Sequence, residues 1–399
     1  MIVFVTDELP KPGEAGHLAL NAEILGWLRA EGHDVTILLT GKRLSAPLLR
    51  HGVQGVEGPH VFRLGRYAVA GSLAGFCLAV ARMARRRLPA PLAARLRHRR
   101  QNTDAVLGSF VSAADLRCCA EVIARLKPEA VLIDTIFRAP LLAAPELLRM
   151  NSIVITHDVF YRRAEALRLA GYAVKPQALT REREAALLEK AQHIAAIQPE
   201  EAALLRDMCP SANIFIAPMP APPCPPPHTA RLPGRLVFIG SDTLPNLDGL
   251  RWFLADIWPA LQGEGITLDL IGDCGPALRQ LPNGIVVHGR VKNLAPLLHR
   301  AALAISPLRA GSGLKIKMLD YARHGLFTIA TPASLAGFHE THGSPFIRAE
   351  TAEDFAAAIL QHVVTPQPPQ TPLAYITRHY GRESVFAGLR AALNPVRAP

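Results

Sequence analysis

Ten positions near the C-terminal third, 311–320, hold Gly311, Ser312, Gly313, Lys315, Lys317 and Asp320. Glycines let a backbone approach a ligand closely. A glycine loop that opens a helix offers free N–H groups and the positive end of a helix dipole to an anion. Lys315 and Lys317 add two cations within one turn. Asp320 follows Lys317 by three residues and shares its helix face. A carboxylate beside a phosphate-sized basic site suits the two vicinal hydroxyls of a ribose, so the expected chemistry is nucleotide binding. The competing reading is an ordinary α/β glycine loop with a surface Lys–Asp pair.

Two further places could do chemistry. His157-Asp158 follows the apolar run SIVIT at 152–156. A histidine there donates a hydrogen bond to a sugar or acts as acid or base, or else is structural. Gly13 and Gly16 lie in a proline-bearing loop after the first apolar run. They let the loop approach an acceptor or phosphate, or merely turn the chain. The loop is too long for a G-x-G-x-x-G dinucleotide turn.

These residues need strands that end beside them. Short apolar runs at 2–5, 35–39, 61–64, 130–134, 152–156, 193–197 and 214–217 read as strands of a first half. Runs at 236–240, 267–271, 285–288, 303–306 and 327–330 read as strands of a second. Helices are expected at 17–30, across a long region from about 69 to 126, and at 140–150, 179–192, 199–208, 249–261, 294–300, 314–324, 351–362 and 373–393. The alternation predicts two Rossmann-like, doubly wound parallel sheets. Between them, seven of the ten residues 218–227 are proline, a stiff linker. The expected organisation is a first domain at 1–217, a linker at 218–233 and a second domain at 234–370. A C-terminal helix at 371–399 is expected to return to the first domain.

Composition sets bounds. A chain of 399 residues, 49% hydrophobic and 19% charged, has the material for two folded cores and is not disordered. Its six cysteines show no C-x-x-C pair and no metal spacing, so they read as reduced, mostly buried thiols. The start, MIVFVTDELP, lacks a basic leader, and no uncharged run is long enough to span a bilayer. The expected location is cytoplasmic.

The net charge of +11 is concentrated. Residues 81–100 hold eight arginines, including Arg82, Arg85, Arg86 and Arg87, and no acid. Apolar residues 76–80 run directly into them. That pattern suits an anionic membrane surface, at about 1 kcal/mol per charge. Nucleic acid is the rival partner but is not expected, because basic and aromatic residues are not interleaved. A solvated basic helix remains the third reading.

Several stretches together resemble the GT-B glycosyltransferases, most closely the retaining family 4 type. They are PKPGEAGHLALNAEILGWLRAEGHDVTIL near the start, ITHDVF, AAIQPEEAALL, FIGSDTLPNLDGLRWFLADIWP and SPLRAGSGLKIKMLDYARHG. The resemblance implies two domains facing across a cleft. It places Asp320 where the family has a glutamate on the donor ribose, and Ser312 where many members have an earlier glutamate. Lys315 and Lys317 match a basic pair that holds the diphosphate, with Gly311 and Gly313 close to the phosphates. His157 matches a histidine facing the transferred sugar, and Gly13 and Gly16 match the acceptor-side loop. Asp320 is one methylene short, and Ser241-Asp242 stands where an arginine is frequent.

The resemblance thus implies transfer of a sugar from a nucleotide-sugar to a glycan or lipid-linked acceptor, with retention of configuration. Fixed lysines and helix N–H groups would stabilise the leaving diphosphate. The chain has no DxD motif, so neither a metal nor a cofactor is expected. An envelope polysaccharide at the inner membrane face is the expected setting. The rival readings are a nucleotide-sugar epimerase of the same fold, using His157 and Asp158, and a non-catalytic nucleotide-sugar-binding protein.

Overall fold

Continuous apolar runs of about five residues, each closed by a turn, build both sheets. A computed structural model describes residues 1–10, 16–41, 47–50, 55–65, 67–71, 73–86, 104–169, 173–177, 179–227, 231–278, 281–310, 314–338 and 343–394. The chain divides into two units. One is Met1–Pro218 with Phe386–Pro399, and the other is Met219–Val385.

In the first unit, β1 (Ile2–Thr6), α1 (His17–Ala30) and β2 (Val35–Leu39) open the sheet. Next come β3 (Leu48–Arg50), β4 (Gly55–Glu57), β5 (Val61–Leu64), β6 (Tyr67–Ala70), α2 (Leu73–Arg86), β7 (Asp104–Val106) and α3 (Ala113–Leu126). Then follow β8 (Ala130–Asp134), β9 (Asn151–Ile155), α4 (Phe160–Leu169), β10 (Ala173–Lys175), α5 (Arg181–Leu188), β11 (His193–Ala196), α6 (Pro199–Met208) and β12 (Asn213–Ile216). The main sheet has the order β12-β11-β9-β8-β1-β2-β4, with every pair parallel. β1 and β8 are buried along their whole length, as strands covered on both faces must be. From β1 the chain passes to β2 and β4 on one side, and later crosses back to β8 on the other. The crevice at the C-terminal ends of β1 and β8 is therefore the switch point where ligands bind in such sheets.

The second unit repeats the plan. It contains β13 (Arg235–Ile239), α7 (Leu244–Trp252), β14 (Thr267–Ile271), β15 (Ile285–Gly289), α8 (Ala295–Arg300), β16 (Leu303–Ser306) and α9 (Ile316–Arg323). β17 (Thr328–Ala330), the short α10 (Pro332–Leu335), β18 (Phe346–Arg348), α11 (Ala352–Val363) and α12 (Gln370–Tyr380) complete it. Its parallel sheet runs β15-β14-β13-β16-β17-β18, with the switch point between β13 and β16. The last helix, α13 (Arg382–Leu393), supplies the first unit from Phe386 onward. There Phe386 stacks on Trp27 at 5.0 Å, and Arg390 binds both oxygens of Glu31 at 3.0 and 2.9 Å. Asn151 Nδ2 donates to the Ala392 carbonyl at 2.8 Å.

Four expected helices are corrected. The region 69–126 is broken up: Val69 lies in β6, which pairs antiparallel with β5, and the Gly71 N–H donates to the His60 carbonyl at 2.7 Å before α2 begins. Residues 140–150 form two short 3₁₀ turns, Ala139–Ala143 and Pro145–Leu147, because Pro145 has no N–H to extend a helix. The helix expected at 249–261 begins earlier, as α7. It ends in a π turn at Phe253–Ile257 and a 3₁₀ turn at Trp258–Leu261, since Pro259 has no N–H for the carbonyl four residues back. The expected helix 373–393 is two, α12 and α13, separated at Gly381, whose backbone is extended. A Cβ there would meet the Thr377 carbonyl oxygen at 2.6 Å.

Candidate functional site

At the first switch point, Thr6 ends β1 and Asp134 ends β8. The Thr6 hydroxyl donates to Asp134 Oδ2 at 2.8 Å, and His157 Nε2 lies 2.9 Å from Oδ1. Asp134 is buried. Burial alone would push its carboxyl up, but the bonds from His157 and Thr6 and the charge of Arg138 hold it well below the usual carboxylate range. Arg138 is buried too. It donates to the Thr135 hydroxyl at 2.8 Å and pairs with Asp7 at 3.1 Å. Thr135 takes a left-handed backbone with φ 64°, costly for a β-branched residue. Such strain of about 1–3 kcal/mol gathers at functional sites. The ring of His17, first in α1, stands edge-on to His157 at 5.6 Å, and burial lowers its pKa.

In the second unit Lys317 sits in the first turn of α9. Its Nζ donates to Asn246 Oδ1 at 2.6 Å and lies 4.0 Å from the centre of the Phe238 ring. Asn246 is buried and held by the loop after β13. Its Nδ2 donates to the Ser241 carbonyl at 3.1 Å and to the Thr243 hydroxyl at 3.1 Å. Burial brings the Lys317 ammonium down to about 7; Cys274 opposes that shift and Lys315 adds to it. Burial likewise lowers Lys315. Asp320 is pushed up to about 6 by burial, against the pull of Arg323, its ion-pair partner at 3.9 Å. Tyr321 fixes the helix to the sheet: its hydroxyl oxygen accepts the Ile239 N–H at 2.7 Å. The loop after β16 is tied at Leu308, whose N–H donates to Ser334 Oγ at 3.4 Å and whose carbonyl accepts the Thr331 hydroxyl.

The expected site residues therefore divide. Lys315, Lys317 and Asp320 stand at the second switch point, but the partner described for Lys317 is Asn246 and that for Asp320 is Arg323. His157 stands at the first. Its carboxylate partner is Asp134 rather than the adjacent Asp158, which pairs with Arg163 at 2.6 Å. Gly16 precedes α1 with φ 75°, a conformation that favours glycine, and its carbonyl accepts the Ala19 and Leu20 N–H groups. Gly13, Gly311, Ser312 and Gly313 lie outside the described residues, as does Arg87. Arg82, Arg85 and Arg86 belong to α2, but their side chains lie outside the description. Sequence reasoning missed Asp134, Arg138 and Asn246. Asp134, as the polar end of an apolar strand, was the one with a readable signal.

Full-length structural likeness defines the fold. A sucrose-phosphate synthase from Thermosynechococcus elongatus superposes with TM-score 0.59 at 14% identity, over 98% of this chain and 97% of its own. A lipopolysaccharide outer core galactosyltransferase gives 0.58 at 13%, over 98% of both. A glycosyltransferase from Rickettsia africae gives 0.59 at 11%, over 98% and 97%. At these identities the likeness speaks for the fold, which is GT-B. Residues 233–363 match the family model Glycosyl transferases group 1. The matched segment lies within the second unit, which is similar to that family's domain, and the fold of the chain is GT-B. A protein from Klebsiella pneumoniae described as an uncharacterized 44.6 kDa protein in the cps region is 24% identical over 172 residues, 39% of this chain. The match spans 44% of that relative's length, less than half.

Proposed function

We propose that the protein transfers a sugar from a nucleotide-sugar donor to a glycan or lipid-linked acceptor, with retention of configuration and without a metal at the diphosphate. The observation that carries this is the cationic first turn of α9. Lys317 is aimed by Asn246 at the switch point of a group 1 domain. In this reading Lys315 and Lys317 neutralise the leaving diphosphate and Asp320 takes the ribose hydroxyls. His157, oriented by Asp134, faces the sugar or the acceptor. The cps-region relative supports a setting in polysaccharide biosynthesis.

The test is nucleotide-sugar turnover and nucleotide affinity for wild type and Lys317→Ala, after a thermal-shift screen of UDP-, GDP- and ADP-sugars. Lys317→Ala is expected to lose nucleotide affinity by about 1.5–3 kcal/mol, the worth of a hydrogen bond to a charged group. Unchanged affinity would remove the donor-site assignment.

The lipid-linked acceptor draws support from an apolar surface on the first unit. Phe62 and Leu64 of β5 and Leu73 of α2 are 65%, 67% and 82% exposed, while Ala79 faces inward. Among the described residues no helix is long and apolar enough to cross a membrane. Surface attachment is therefore the form proposed, with the arginines at 82–87 adding attraction to anionic lipid. Flotation with anionic vesicles is expected to fall for a variant with alanine at Arg85, Arg86 and Arg87; equal flotation would refute it.

A further inference from the structure

Cys224, in the proline-rich stretch, meets two histidines from distant parts of the second unit. Its N–H donates to the Arg323 carbonyl at 2.7 Å, and its carbonyl oxygen lies 3.1 Å from His299 Nε2. His299 is in the last turn of α8 and His324 directly follows α9. His324 Nδ1 is 2.9 Å from His299 Nε2. Both imidazoles are buried and Cys224 is half-buried. One possible ligand atom from each of the three lies within 4.8 Å of the others.

Hydrogen bonding alone does not settle this cluster. A neutral imidazole carries one N–H. If His299 carries it on Nε2, one hydrogen is shared between the Cys224 carbonyl and His324 Nδ1. If His324 donates instead, His299 Nε2 turns a lone pair toward the carbonyl oxygen. The charged side chains acting on His324 are Arg323 and Arg231, both cationic. Arg231 itself is committed to carbonyls: Leu298 and Ala301 at the end of α8, and His324 and Gly325 at the end of α9. Those four bonds fix both histidine-bearing helix ends. A further cation would fit only with an anionic ligand of its own, and the Cys224 thiolate is one.

We propose that Cys224, His299 and His324 form a binding site for a transition-metal cation of the zinc type, held by one thiolate and two imidazoles. Ligands at about 2.0–2.3 Å from zinc in a tetrahedron lie roughly 3.3–3.7 Å apart. The two nitrogens must open by a few tenths of an ångström and the sulfur must close in, within reach of side-chain rotation. The half-buried Cys224 provides the way in. The ion ties the proline stretch to the end of α9, the helix that carries Lys317 and Asp320. This role is structural and separate from the diphosphate chemistry.

The test uses untagged full-length protein, dialysed against a chelator and then loaded with Zn²⁺ or Co²⁺. One zinc per chain is expected, with a thiolate-to-cobalt charge-transfer band. Cys224→Ser is expected to remove the band and weaken zinc at least about tenfold, while the circular dichroism spectrum stays unchanged. His324→Gln should weaken zinc to a similar degree. Cys77→Ser, which changes the exposed cysteine of α2, should leave all of this unaltered. Absence of the band in the wild type, or its survival in Cys224→Ser, would overturn the site.

Discussion

Lys317 has the most consequential environment of any single side chain here. Its ammonium is brought down to about 7 by burial, whereas an unfolded lysine keeps its proton to about 10.4. Between those values the unfolded chain holds more protons, so this group makes stability rise with pH across that window. A diphosphate calls for the charged form. Nucleotide affinity is therefore expected to fall between about pH 6 and pH 9, and to stay flat for Lys317→Met; calorimetric titration at several pH values decides this. Asp134 gives the same sign in a different window. Its carboxyl is held low, so its contribution is present above the unfolded value near 3.9 and is lost as pH falls below it. Asp134→Ala leaves Arg138 buried beside a broken network. It should cost about 3–5 kcal/mol in urea unfolding. Lys317 was legible in the sequence because Lys315 and Asp320 stand within one turn of it. Its partner Asn246, 71 residues away, was not, and Asp134 was readable as a polar strand end but its pairing with His157, 23 residues on, was not, because sheet order makes those contacts.

The elements that carry these residues are pinned by close backbone approach. Gly249 in α7 lies so near the chain after β16 that a Cβ would meet the Pro307 carbonyl oxygen at 2.5 Å. Gly249→Ala should destabilise by about 1–3 kcal/mol and weaken nucleotide binding, because it lifts α7 from the loop leading into 311–313. Gly26 in α1 has nothing within 4 Å of its Cβ position, so Gly26→Ala should stabilise by about 0.5–1 kcal/mol. Thermal unfolding of the two variants should move in opposite directions. At this scale the strands were readable, since IVFVT, VTILL and AVLID are predominantly apolar runs with one meaning in a parallel sheet. The helix ends were less so. Pro145 and Pro259 change the hydrogen-bond ladder around them, and the pairing of β5 with β6 claims residues whose composition also suits a helix.

Across the whole molecule, two doubly wound units follow from the repeated strand–helix alternation, and each candidate cluster falls at the switch point of its own sheet. The exchange of residues between units is subtler. Phe386 is fully buried against Trp27 although 359 residues separate the two ends of the Arg390–Glu31 pair nearby. Phe386→Ala should cost about 3–5 kcal/mol. Denaturation followed by Trp27 fluorescence should show an earlier first-unit transition.

The residues that complete the first unit from Phe386 onward are translated after the whole second unit. During synthesis, an N-terminal domain ordinarily finishes folding while the rest of the chain is still being made. Here Trp27 and Glu31 must wait for a helix that is translated only after the second unit, Met219–Val385. A message cut short anywhere before codon 386 yields a product whose opening half displays an uncovered tryptophan. A cell's quality control would meet that exposed surface in every prematurely ended copy.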